Sequence, residues 1–139
     1  MSSRGSSKNL VSGAEPSWRF LTGEHSSFAG VRNGVQCYGA HNCDTIVAVG
    51  GDLPIDASKA ILYHNQKEVG GQTPSQIAIP TTLSVAGFTV RFGARLTNEE
   101  VERSEYLSQQ LAPAGIILDA ELTLATPTEL ILATPKKLW

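Results

Sequence analysis

Three short apolar runs recur along the chain, and the segments between them have helical or polar patterns. The runs at residues 44–49, 76–79 and 115–118 are rich in Ile, Val and Leu. Such nearly continuous runs are typical of strands in a parallel sheet that helices cover on both faces. From about residue 26 the pattern therefore predicts an alternating α/β fold.

The segments around the first run have the spacing of amphipathic helices. Phe28, Val31 and Val35 are separated by three and four positions, which places them on one helical face. Residues 53–64 predict a second helix, with Asp52 as its N-cap residue and a proline in its first turn. This helix and the strands on either side of it form one βαβ unit, for which we expect parallel strands and a right-handed crossover.

The pattern is less decisive after Pro80. Residues 88–96 predict an extended hairpin, whereas residues 97–110 begin with the spacing of a capping box but carry only a thin apolar stripe. For this second segment a helix and an irregular loop both stay open. Residues 126–129 (TPTE) predict another helix start, and Pro135 ends that helix after about two turns. A helix this short is marginal on its own, so the pattern predicts an element that is cut off.

The composition supports a single domain and argues against two classes of partner. The chain has 139 residues, of which 41% are hydrophobic and 17% charged, and its formal net charge is -2. A chain of this length can bury a real core. Because Lys and Arg form no local excess, we expect neither a nucleic-acid partner nor a membrane surface. No apolar run approaches the roughly 20 residues of a membrane-spanning helix.

The amino-terminal segment and the cysteines bear on the cellular compartment. Residues 1–25 are of low complexity, and residues 1–14 contain five Ser and two Gly, so we expect disorder there. A transit peptide is the alternative, but the Arg-rich amphipathic helix of such peptides is missing. Cys37 and Cys43 are too few for the disulfide framework of a secreted protein, which favours a cytoplasmic location.

The junction after the first predicted strand is the strongest candidate site. There a buried strand runs through Gly50 and Gly51 into a helix amino terminus. Free amides and the helix dipole attract anions at such a place, and glycine lets a phosphate approach the backbone. A tight turn without a ligand is the alternative. Cys37, His41 and Cys43 have the composition of a soft metal patch, although such residues are more often ordinary surface or core positions.

Several segments match one known enzyme family in their order and spacing. They are residues 44–51, 54–56 and 59–60, residues 77–82, residues 116–119 and 121–123, and residues 126–127. Together they resemble the nucleotide-binding half of the iron-containing alcohol dehydrogenases, especially the maleylacetate reductase-like and fungal members. The resemblance extends from about residue 28 to residue 134.

This resemblance implies an incomplete doubly wound parallel sheet of the Rossmann-like kind. Residues 26–134 would form part of a dinucleotide-binding domain, and residues 135–139 a tail outside the family. The implied activity is hydride transfer between NAD(P) and a small-molecule substrate, which is an alcohol, an aldehyde or a keto acid. Iron or zinc would polarise the substrate oxygen.

The same resemblance implies six cofactor-binding residues. They are Gly50, Gly51, Asp56, Lys59, Thr81 and Thr82. Without the resemblance, Lys59 is more simply a solvated helix position, and the paired threonines form a turn at the end of a strand.

Two departures from the family pattern bear on activity. Asp52 and Leu53 stand where the family has a third glycine and a serine. A carboxylate about 4 Å from a phosphate costs roughly 4 kcal/mol at an effective dielectric constant near 20, so we expect weaker cofactor binding. The resemblance also implies that the metal ligands come from a helical half after residue 134, and we expect no catalysis by this chain alone. The alternative is a noncatalytic remnant that binds nucleotide or pairs through exposed sheet edges, including as a homo-oligomer.

Overall fold

The computed structural model describes residues 28–70, 73–94 and 104–133. The predicted disorder at residues 1–25 and the predicted tail at residues 135–139 lie outside the described residues. In chain order the elements are α1 (Phe28–Ala40), β1 (Thr45–Gly50), α2 (Asp52–Val69), β2 (Ser75–Pro80), β3 (Arg91–Ala94), β4 (Ser104–Leu107), β5 (Gly115–Ile116), α3 (Ala120–Thr123) and α4 (Thr128–Ala133), with 3-10 turns at Ala86–Phe88 and Gln109–Leu111.

A parallel sheet of three strands lies at the centre of the described residues, in the order β1-β2-β5. β1 and β2 pair along their whole length, from Thr45 opposite Ser75 to Gly50 opposite Pro80. β5 pairs with the middle of β2, with Gly115 opposite Ile77 and the next residue opposite Ala78. Because parallel strands all end at one edge, the loops that follow them meet there. The α/β, Rossmann-like fold class is therefore confirmed.

Helix α2 covers one face of this sheet and joins it to the rest of the core. Ile55 of α2 is fully buried against Ala48 of β1 and Ala78 of β2. A second cluster joins α1, α2 and the segment from β3 to the second 3-10 turn, through Val31, Tyr38, Ala60, Ile61, Leu62, Phe92 and Leu111. On the opposite face of the sheet Val47 and Val49 are 55% and 50% exposed, since side chains alternate between the faces along a strand.

Residues 97–110, for which the sequence allowed either a helix or an irregular loop, contain a strand. β4 pairs with β3 in antiparallel fashion, with Phe92 opposite Tyr106. The two rings stack with centroids 5.2 Å apart and an interplanar angle of 18°. The ring of Tyr63 on α2 lies 5.6 Å from that of Phe92. The helix alternative is wrong at residues 104–107, because the extended backbone brings these aromatic rings together. Residues 97–103 lie outside the described residues.

Helix α2 is longer than predicted at both ends. It begins at Asp52, and Gly51 has the extended backbone of the N-cap position. The prediction of Asp52 as the cap is therefore wrong by one residue. The helix ends at Val69, where Gly70 has φ 74 and donates its N–H to the carbonyl of Gln66 at 2.8 Å. Among the described helices, α2 included, none has the length and apolar character needed to cross a membrane.

Candidate functional site

An open cleft lies at the carboxyl end of the parallel sheet. Its volume is about 570 Å³, and its walls are the turn after β1, the turn after β2 and the start of α4. The lining residues are Gly51, Asp52, Leu53, Pro54, Thr81, Thr82, Ala125, Thr126, Pro127 and Leu130. Ligands of open α/β sheets bind outside the carboxyl ends of the strands. This cleft is therefore the candidate binding site of the described residues.

Gly50 and Gly51 form a turn that has little room for a side chain. Gly50 has φ 144, and a Cβ atom placed there would lie 2.7 Å from Cγ of Pro54. A Cβ on Gly51 would lie 3.2 Å from Cγ2 of Thr82. The N–H of Thr81 donates to the carbonyl of Gly50 at 2.9 Å. The turn after β1 is thus packed directly on the turn after β2. A side chain at Gly50 would clash with Pro54, and one at Gly51 would require Thr82 to shift slightly.

The amino terminus of α2 forms one wall of the cleft and sets its charge. Its N-cap residue, Gly51, has no side chain to accept hydrogen bonds from the first-turn amides. An 18-residue helix carries about half a positive charge at this end, which favours anions. Asp52, however, lies in the first turn and is the one charged side chain among the residues that line the cleft. The carboxylate therefore opposes the field that would attract an anionic ligand.

The paired threonines after β2 have different surroundings. Thr82 is 8% exposed, and its Oγ1 atom has no hydrogen-bond partner among the described residues. The carbonyl of Thr81 instead accepts a hydrogen bond from Oγ1 of Thr126 at 2.9 Å. This bond ties the turn after β2 to the segment that leads into α4. A buried hydroxyl without a partner is costly, so the Thr82 hydroxyl points to a ligand that would supply one.

Lys59 is one of the six predicted residues, but it does not line the cleft. Its side chain is fully buried, and Nζ donates to the carbonyls of Ala86 at 2.5 Å, Thr89 at 2.6 Å and Arg91 at 3.0 Å. Burial lowers the pKa of Lys59 to about 8, although the neighbouring carboxylate of Asp56 acts in the opposite direction. The alternative of a solvated helix position is therefore wrong.

Asp56 also lies on α2 away from the residues that line the cleft. Its Oδ2 atom accepts a hydrogen bond from the backbone N–H of Gly93 in β3 at 3.0 Å. With Lys59, which lies three positions further along α2, it fastens the segment at residues 86–93 to the helix. The structure thus brings Gly51, Thr81 and Thr82 together in the cleft, with Gly50 in the adjoining turn. A cofactor contact by Asp56 or Lys59 stays a prediction.

The wall formed by the start of α4 was not assigned to the site from the sequence. Ala125, Pro127 and Leu130 line the cleft beside Thr126. The helix start predicted at residues 126–129 is present, although its first helical hydrogen bonds go to the carbonyl of Pro127. The sequence contained one signal for this wall. A strand at residues 115–118 that is parallel to β1 must end at the same edge of the sheet, so the segment that follows this strand must pass the site.

The described residues do not supply a metal site. Within residues 28–70, 73–94 and 104–133, no group of three or more His, Cys, Asp or Glu side chains has an arrangement able to hold a metal ion. Cys37, His41 and Cys43 thus do not form the soft metal patch considered above, and both cysteines are free thiols. No catalytic step can be assigned to a metal ion held by this part of the chain.

Comparison with known proteins links the chain to one enzyme family. The family model of iron-containing alcohol dehydrogenases matches residues 12–120. The 4-hydroxybutyrate dehydrogenase of Cupriavidus necator is 34% identical over an alignment of 119 residues, and the match covers 75% of this chain and 31% of that protein. The chain therefore spans less than one third of the length of this curated relative.

Solved structures give the same result for the fold. The crystal structure of maleylacetate reductase from Agrobacterium tumefaciens matches with a TM-score of 0.70 and 25% identity, over 84% of this chain and 30% of that one. Sulfoacetaldehyde reductase from Bifidobacterium kashiwanohense, solved in complex with NAD+, matches with a TM-score of 0.65 and 23% identity. That second match covers 81% of this chain and 34% of the reductase.

Proposed function

Because the chain belongs to the iron-containing alcohol dehydrogenase family, we propose that it forms the dinucleotide-binding part of an NAD(P)-dependent oxidoreductase. The observation that carries this proposal is the cleft at the carboxyl end of β1 and β2. There a helix amino terminus without a side-chain cap lies beside the buried hydroxyl of Thr82, for which the described part of the chain supplies no hydrogen-bond partner. The proposed dinucleotide-binding unit comprises residues 26–134.

In this proposal the diphosphate of NAD(P) lies between the glycine turn and the paired threonines. Gly51 has no side chain of its own between its backbone and the cleft, and we propose that the amides of the first turn of α2 donate to the diphosphate. The hydroxyl of Thr82 gains the acceptor that it lacks. Gly50 contributes indirectly, because its left-handed conformation makes the turn.

Asp56 and Lys59 have indirect roles in the same proposal. Both bind backbone groups of the segment at residues 86–93, which follows Thr82 closely in the chain. They hold this segment against α2, the helix whose amino terminus lines the cleft. We therefore propose that these two residues keep the glycine turn and the paired threonines in position on either side of the cleft.

When bound, NAD(P) donates or accepts the hydride. We propose an alcohol, an aldehyde or a keto acid as the substrate class. The names of two relatives, 4-hydroxybutyrate dehydrogenase and maleylacetate reductase, refer to substrates that carry a carboxylate, which favours a small acid. The described residues do not fit the family's iron or zinc, so no step is assigned to it. A cytoplasmic location and self-association through sheet edges stay predictions.

A fluorescence titration with NADH tests the proposed cofactor site. Thr82→Val keeps the shape of the side chain and removes the hydroxyl, and we expect it to weaken binding by roughly fivefold, as for a lost hydrogen bond of about 1 kcal/mol. Thr45→Val is the matched control, because Thr45 lies at the opposite end of β1 and should bind NADH like the wild type. Equal loss of affinity in both variants, or no binding by the wild type, would refute the proposed site.

An activity assay separates the dinucleotide-binding role from complete catalysis. We expect the purified chain to bind NADH but not to oxidise it with maleylacetate or simple aldehydes, even with added iron or zinc. The reason is that the described residues provide no metal ligands. Turnover by this chain alone would contradict the restriction to cofactor binding.

A further inference from the structure

Little apolar packing holds the wall of the cleft that the start of α4 forms. No side chain of α3 or α4 is buried, and Leu130, which lines the cleft, is 49% exposed. The two other walls bind each other directly, since the N–H of Thr81 donates to the carbonyl of Gly50 at 2.9 Å. In the described part of the chain, the α4 wall therefore depends on polar contacts for its position more than the other two walls do.

The side chain of Thr126 supplies such a contact. Its Oγ1 atom is partly buried and donates to the carbonyl of Thr81 at 2.9 Å, 45 positions away in the chain. Thr81 is itself fixed, because its N–H binds the turn after β1. Thr126 lies directly before Pro127, whose carbonyl accepts the first hydrogen bonds of α4. One hydroxyl therefore ties the start of α4 to the firmly packed part of the cleft.

The α4 wall offers a ligand different chemistry from that of the glycine turn and the paired threonines. Besides Thr126, its lining residues are Ala125, Pro127 and Leu130, whose side chains carry no polar group. The Thr126 hydroxyl has one proton, and that proton is directed to the carbonyl of Thr81. The wall is therefore suited to apolar contact with an uncharged part of a dinucleotide, and not to hydrogen bonding with its diphosphate.

We infer that Thr126 is a positioning residue of the cleft, whose bond to Thr81 holds the α4 wall at the distance from which Leu130 contacts bound NAD(P). The inference rests on the proposed function, since it concerns the ligand of the same cleft. An apolar contact is favourable only at close approach, so a wall that is free to move away loses most of it. The Thr126 bond fixes that distance before the ligand arrives, which lowers the entropic cost of binding.

An NADH fluorescence titration of Thr126→Val tests this role. Valine keeps the shape of the side chain and removes the hydroxyl, and we expect binding to weaken by about threefold to tenfold. Thr126→Ser restores the hydroxyl and should bind within about twofold of the wild type. Thr123→Val is the matched control and should bind like the wild type. Thr123 is also half-buried and donates to the carbonyl of Ala120 at 2.7 Å, but it does not line the cleft.

A double-mutant cycle with Leu130→Ala distinguishes positioning from general destabilisation. If Thr126 acts through the wall, Thr126→Val should weaken NADH binding by less than about twofold when residue 130 is already alanine, because the contact that it positions is gone. In the Leu132→Ala background the full loss should remain, since Leu132 is exposed and does not line the cleft. Equal losses in the two backgrounds would refute the inference, and so would equal losses in Thr126→Val and Thr123→Val.

Hydrogen exchange of the chain without ligand separates this inference from the proposed function. The amides of Leu130 and Ile131 donate to the carbonyl of Pro127 and should exchange at least about fivefold faster in Thr126→Val than in the wild type or Thr123→Val. If the wild type binds NADH, unchanged exchange or unchanged affinity in Thr126→Val would overturn the inference and leave the dinucleotide site standing. If the wild type does not bind NADH, the proposed function and the inferred effect on affinity both fail, and faster exchange would show only that Thr126 tethers α4.

Discussion

Replacing Lys59 by methionine tests whether a buried lysine holds the segment at residues 86–91 against α2. Methionine has a similar volume and is unbranched, but it cannot donate hydrogen bonds. The substitution leaves three backbone carbonyls, those of Ala86, Thr89 and Arg91, without the ammonium that now binds them. The main expected effect is therefore on the stability of the folded chain.

Two opposing terms set the size of this effect. Each hydrogen bond to a charged group contributes about 1.5–3 kcal/mol. Against this, the fall of the pKa of Lys59 from 10.5 to about 8 means that burial disfavours its charged form by about 3 kcal/mol. Since three bonds outweigh this penalty, we expect Lys59→Met to lower the free energy of unfolding by about 3 kcal/mol at pH 7. That is a large part of the stability of a small domain.

The pH dependence gives an independent check with a defined sign. Because the native pKa of Lys59 is lower than the unfolded value, the unfolded state binds more protons between pH 8 and 10.5. This residue therefore makes the unfolding free energy rise with pH in that window, by up to about 3 kcal/mol. Burial raises the pKa of Tyr38 to about 12 and also raises that of Cys43, so these groups act in the opposite direction. They are common to both proteins and cancel in the difference.

Urea unfolding followed by circular dichroism, at several values between pH 7 and pH 10, measures both effects. We expect the difference between the wild type and Lys59→Met to widen as the pH rises. Lys67→Met is the matched control on the same helix, because Lys67 is exposed and its Nζ atom lies 5.4 Å from the ring centroid of Tyr63. It should lower the unfolding free energy by less than about 1 kcal/mol. A loss of that small size for Lys59→Met, with no pH-dependent difference, would refute the reasoning.

Two further substitutions test the turn and the hairpin. Gly50→Ala should lower the unfolding free energy by at least about 2 kcal/mol, because φ is 144 and the new Cβ would lie 2.7 Å from a proline side chain. Gly39→Ala in α1, where a Cβ meets nothing within 4 Å, is the control and should be neutral or slightly stabilising when both variants are unfolded in urea. Tyr106→Ala should cost about 2–3 kcal/mol in urea unfolding because it removes the ring stacked on Phe92, and Leu107→Ala, 63% exposed, should stay within about 0.5 kcal/mol. Similar losses in either pair would contradict the described packing.

Local pattern was sufficient where the chain forms its parallel strands. The β-branched residues of β1 favour a strand whatever lies beside them, and the glycines after them end it. The predicted burial of this strand is wrong at Val47 and Val49, which are exposed. β5 was predicted over residues 115–118 but pairs only at Gly115–Ile116, after which Ile117 donates one hydrogen bond to the carbonyl of Ala78. The length of pairing depends on the neighbouring strand, and this information is not local.

Residues 104–107 and Lys59 show where local pattern was insufficient. At β4 the apolar spacing was compatible with a helix, but Tyr106 is placed by a ring on another strand, Phe92. At Lys59 the resemblance implied a cofactor contact and the helix pattern implied solvent. The observed surroundings are three carbonyls that lie 27, 30 and 32 positions further along the chain. Contacts between residues this far apart decide both cases, and no short window of sequence contains them.

The loop that follows β2 connects Lys59 to the cleft. Lys59 and Asp56 fix the segment at residues 86–93 to α2, and that segment begins four positions after Thr82. Thr82 in turn packs against Gly51 at the amino terminus of the same helix. The loop from β2 is therefore attached to α2 at two places, at Thr82 itself and at the segment that follows it in the chain. A rigid loop holds that hydroxyl in one position before a ligand arrives, which lowers the entropic cost of binding. By this argument Lys59 contributes to affinity through the position of the loop.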